Sequence, residues 1–84
     1  MFYEAIFEPS RIKDYNSEAK KLSGKRIALQ AGWIIEEGVH KGEQCFYIPN
    51  SKVGTIPGSD LKELKPISIA RWKDIQKSLG FIPE

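Results

Sequence analysis

The chain has 84 residues, 40% hydrophobic and 29% charged, with a formal net charge of +2. That length holds one core and no second one, the composition rules against wholesale disorder, and so small a net charge does not by itself point to nucleic acid. With Cys45 as the only cysteine, an internal disulfide and a cysteine-rich zinc site are both excluded.

Residues 2–7 are rich in aromatic and β-branched types and stop at Pro9, which predicts a first strand. Residues 10–24 are polar and form a long excursion. Within it Asn16 or Ser17 can cap a short helix whose Tyr15, Ala19 and Leu22 share a face, and Gly24 suits its end. Residues 25–35 alternate as a second strand, Ile27, Leu29 and Ala31 against Arg26, Ala28 and Gln30, until Gly32 breaks the pattern beside Trp33 and predicts a bulge or a sharp bend. A glycine-flanked turn over 36–42 leads to a strand over 43–48. Residues 49–52 make a short hairpin connection, and 53–56 return.

After the Pro57-Gly58 corner, Ser59 or Asp60 starts one helical turn, and residues 61–64 form a closing strand. A helix over 68–80 follows, with Ser68 as its cap and Ile67 stapled to Trp72. Its apolar stripe is Ile69, Trp72, Ile75 and Leu79, Gly80 fits the left-handed position at its end, and Phe81 folds back onto Ile75. We expect this helix to pack across an open end of the strands. No apolar run approaches the ~18 residues of a membrane helix or reads as a leader, so a soluble, cytoplasmic chain is expected.

Two segments carry a resemblance. Gly54-Thr55-Ile56-Pro57-Gly58-Ser59-Asp60-Leu61 is similar to the glycine–aromatic–isoleucine–proline–serine–asparagine–tyrosine–valine segment of SH3 domains, and Ala5-Ile6-Phe7-Glu8-Pro9 to their alanine–leucine–tyrosine–aspartate–tyrosine segment. The resemblance implies a mainly β fold over residues 2–65: a small five-stranded SH3-like barrel with a short helix in its first loop, the helix over 68–80 being an addition packed on it. Carried over by position, Phe7 takes the first aromatic place of the family's proline-peptide groove and Pro57 the proline. Pro9 and Asp60 stand where further tyrosines belong, and the first loop is basic where the family's is acidic. A polyproline ligand needs flat apolar slots, so binding in the usual SH3 manner is not expected.

No set of residues argues a reaction. Glu36 and Glu37 are adjacent and would face opposite sides of a strand, His40 lacks a spaced ligand partner, and Cys45 lacks a base in sequence. We therefore expect no catalytic residues, cofactor or metal. The reading is a monomeric, non-enzymatic module that recognises a protein partner, with no membrane or small-molecule ligand. Phe7, Tyr15, Trp33 and Pro57 would supply apolar contact, and Lys20, Lys21, Lys25 and Arg26 charge. The alternative is a nucleic-acid-binding barrel in which that basic segment holds phosphates.

Overall fold

The structure is a computed structural model that describes residues 1–83. Five antiparallel strands, β1 (Phe2–Phe7), β2 (Arg26–Ile34), β3 (Gln44–Tyr47), β4 (Thr55–Pro57) and β5 (Leu61–Pro66), form one sheet in the order β4-β3-β2-β1-β5. Among the described residues two α-helices, α1 (Ser17–Lys20) and α2 (Ile69–Leu79), complete the fold. Of the barrel expected, the five strands and their antiparallel order are present as an open sheet, with β4 and β5 as its edges. The chemistry of β4 accounts for its short reach: it has three residues and ends on Pro57, which has no N–H to donate. The two edges are nonetheless joined by a single 3-10 turn, Gly58–Asp60. Such a turn advances only about 2 Å per residue, so β4 ends close to where β5 begins.

The sheet buries both faces over β1 and β2. On one face Ala5, Phe7, Ile27, Leu29, Phe46 and Ile56 form the main core, and Ala19 and Leu22 of the first loop cover one side of it. On the other face α2 sets Trp72 and Ile75 against Ala28, with Phe2 tilted onto Trp72 at 4.9 Å between centroids. The helix therefore packs on the back of β1 and β2, not across an end of the strands. Its signals are otherwise those of the sequence. The Ser68 hydroxyl accepts from the Arg71 N–H at 3.2 Å, and Gly80 sits at φ 82°. The N–H of Phe81 donates to the Gln76 carbonyl at 2.9 Å, and Phe81 packs on the main core, not on Ile75.

The buried stripe of α2 also differs from expectation. Ile69 is half exposed, and Gln76 is buried in its stead. Among the described residues, neither amide atom of Gln76 nor Nε1 of Trp72 has a hydrogen-bond partner. A buried amide left unpaired costs roughly 1–3 kcal/mol. Gln76→Leu should therefore raise stability by about 1–2 kcal/mol, read as a higher urea midpoint at unchanged slope. A lower midpoint would mean that the amide is satisfied.

Glu4 fastens α2 to the sheet. It is buried on β1 and accepts from Arg26 of β2 at 2.8 Å and from Arg71 of α2 at 3.3 Å. Burial pushes its carboxyl up, but the hydrogen bonds from Arg71 and Arg26 outweigh this and hold it below the usual carboxylate range. A carboxyl depressed in the folded state stabilises above its unfolded value, about 4.3, and loses that contribution as pH falls through the folded one. Acidification below about pH 4 should lower the urea midpoint, and Glu4→Gln should remove part of that dependence while costing about 1–2 kcal/mol at neutral pH. An identical pH profile for Glu4→Gln would contradict this role.

Candidate functional site

A cleft of about 590 Å³ opens between the first loop, residues 8–25, and the β2–β3 loop, residues 35–43. Its floor includes Pro57 and Asp60, and Trp33 stands at one end.

The first wall is built on Tyr15. Its ring meets fully buried Phe7 edge-on at 5.1 Å, and its hydroxyl donates to Asp60 Oδ2 at 2.6 Å. Asp60 is buried, and its other oxygen accepts from the N–H and hydroxyl of Ser10, both at 3.3 Å. Burial, and then the hydrogen bond to this carboxylate, hold the Tyr15 phenol well above its usual ionisation range. Asn16 adds two ties: Oδ1 caps α1 through Ala19 N–H at 2.9 Å, and Nδ2 donates to the Lys52 carbonyl at 2.6 Å. A long polar loop is thereby fixed at both ends of its inner face.

The second wall is locked to the 3-10 turn. His40 Nδ1 lies 2.8 Å from Glu43 Oε2, and Glu43 Oε1 accepts from the Ser59 N–H at 3.1 Å. The Glu43 carboxyl is held low, first by the bond to His40 and then by that to Ser59. Ser59, His40 and Glu43 are residue types of a nucleophilic triad, but their arrangement is not that of one. The Ser59 hydroxyl, at 3.5 Å, and Glu43 address the same ring nitrogen. A relay needs the hydroxyl on one nitrogen and the carboxylate on the other. This cluster is a loop fastening.

Trp33 owes its position to the bulge predicted at Gly32. The β2–β3 register shifts between Ala31 and Ile34, and the Trp33 N–H points at Cys45 Sγ, 3.3 Å away. A Cβ on Gly32 would lie 2.8 Å from that sulfur and 3.3 Å from the Cys45 carbonyl oxygen. The extra residue turns the strand and leaves the indole 59% exposed. Gly32→Ala should cost about 1–3 kcal/mol. Cys45→Ala in the same chain should recover only part of this, since the carbonyl remains, and a double-mutant cycle measures the coupling. Full additivity would mean that the two residues do not press on each other.

Of the residues singled out from sequence, Tyr15, Trp33 and Pro57 line the cleft together, although 18 and 24 residues separate them in turn. Phe7 lies behind Tyr15 with no exposed surface. Lys20, Lys21 and Lys25 are exposed but do not line the cleft, and Arg26 is engaged by Glu4 and, at 3.7 Å, by Glu63. Sequence reasoning missed Asp14, Glu37 and Val39 on the rim, and Asp60 as the partner of Tyr15. Only Asp60 carried a signal, as a carboxylate in an aromatic's place. The cleft is acidic on balance, with Asp14, Glu37 and Asp60 against Arg11, and Arg11 already pairs with Asp14 at 3.1 Å. Comparison of the chain with family models, with curated proteins and with solved structures gives no match.

Proposed function

We propose that this chain is an SH3-like barrel acting as a non-enzymatic protein-interaction module, which takes an extended segment of a protein partner into the cleft between its first loop and its β2–β3 loop. The observation that carries the reading is the convergence of Tyr15, Trp33 and Pro57, from three separate elements, on one concave surface of about 590 Å³. A few convergent polar groups among apolar walls is what ligand clefts share. The barrel is supported by the strand order, by the long first loop and by the one-turn link between the two edges of the sheet. The usual polyproline ligand is disfavoured, because Pro9 and Asp60 replace two aromatics and Phe7 is buried. Charge disfavours a phosphate backbone in the cleft, whose acids outnumber its one arginine.

The test is a selection of random linear peptides displayed on phage against the full chain, followed by affinity measurement on variants. Trp33→Ala and Glu37→Lys should abolish binding of the enriched peptides, whereas Lys20→Glu with Lys21→Glu and Lys25→Glu should leave it unchanged. Loss of binding only in the lysine variant, together with steeply salt-dependent affinity for a single-stranded oligonucleotide, would replace this reading with nucleic-acid recognition.

A further inference from the structure

We infer that the cleft continues past Trp33 into a second pocket that receives a large apolar side chain of the same partner segment; this rests on the peptide reading above. The second pocket, also about 590 Å³, lies between the ends of β2 and β3 and the β3–β4 turn, and Ala31, Tyr47, Ile48, Pro49 and Gly54 are among its walls. Trp33 and Thr55 line both pockets, so the indole is a ridge within one groove.

The two halves differ in chemistry. Among the described residues no carboxylate, lysine or arginine lines the second pocket; its polar side chains are those of Asn50, Ser51 and Thr55, and its one phenol, Tyr47, already donates to Gln30 Oε1 at 2.9 Å. The faces of Tyr47, Pro49 and Trp33 remain for an apolar guest, which gains by leaving water. The first pocket carries the acidic excess, with Glu37 as a rim carboxylate without an ion-pair partner among the described residues. Together these fix the occupant as a peptide segment, with a lysine or arginine in the first pocket and a large aliphatic or aromatic residue in the second. Positions two apart on an extended chain share a face and lie about 7 Å apart, enough to step over an indole.

The peptides enriched on the full chain should share a basic residue and a large apolar residue at such spacing. Alanine at the apolar position should weaken binding about tenfold or more, as filling or emptying an apolar pocket does. Ala31→Phe, on an exposed strand position, fills the second pocket from its wall and should weaken the parent peptide to the same degree. It should leave the alanine peptide unaffected. The peptide substitution needs no variant protein, so it decides the matter even where Ala31→Phe does not fold. Enriched peptides that ignore both changes while Trp33→Ala and Glu37→Lys abolish their binding would overturn the second pocket alone. Enrichment of nothing would overturn it together with the peptide reading.

Discussion

Replacing Phe7 by alanine should lower the unfolding free energy by about 3–5 kcal/mol, a large part of what a small domain has. Phe7 is fully buried, sits at the centre of the main core, and supports the Tyr15 ring edge-on at 5.1 Å. Its removal leaves a cavity that neighbours from β2 and β3 cannot fill without moving. The urea midpoint should fall accordingly. Phe7→Leu, which leaves a much smaller cavity, should cost clearly less than Phe7→Ala and keep the binding of selected peptides. A Phe7→Ala protein with the wild-type midpoint but no peptide binding would show that the ring touches the ligand, against its position here.

The second large effect is expected at Asp60. Asp60→Ala removes the acceptor of the Tyr15 hydroxyl and of both Ser10 donors. Losing hydrogen bonds to a charged, buried group costs about 1.5–3 kcal/mol, and the part-buried Tyr15 oxygen is left without its partner. Amide exchange across residues 10–16 should quicken, because this carboxylate fastens the first loop to the turn before β5. Tyr15→Phe should cost a similar amount, and the double variant clearly less than the sum, since one interaction is removed twice. Tyr15 should ionise only well above its usual value of about 10, and Asp60→Ala should bring that ionisation down. Additive costs with unchanged exchange would mean that the loop is held by other ties, such as Asn16 to Lys52.

What the sequence disclosed follows from how local each signal is. The cap at Ser68, the left-handed Gly80 and the bulge at Gly32 each depend on neighbours within a few residues, and all three are present; the first-loop helix capped by Asn16 is a single turn, Ser17–Lys20, so Leu22 is buried from the turn beyond it and not from a helix face. How far the sheet curls across the Pro57 corner is not a local property and leaves no mark in the sequence. The docking face of α2 was equally hidden. Ile69, Trp72, Ile75 and Leu79 share a helix face by spacing, yet the face set against Ala28, with Arg71 bonded to Glu4, has Gln76 buried and Ile69 half exposed. In the cleft, Tyr15, Trp33 and Pro57 were legible, as an aromatic in the first loop, an aromatic beside a glycine that breaks a strand, and a proline at a corner. The pairs that shape it, Tyr15 with Asp60 and Ser59 with Glu43, join residues 45 and 16 positions apart. Periodicity carries no trace of such contacts.

A partner segment held between the two loops, as proposed, should register on the amides that line them. Amide chemical-shift mapping of the full chain with an enriched peptide tests it most directly. Shifts concentrated at Tyr15, Trp33, Glu37 and Gly58, the residue after Pro57, are the expected result. Shifts gathered instead at Lys20, Lys21 and Lys25, with the residues of the cleft unmoved, would contradict it.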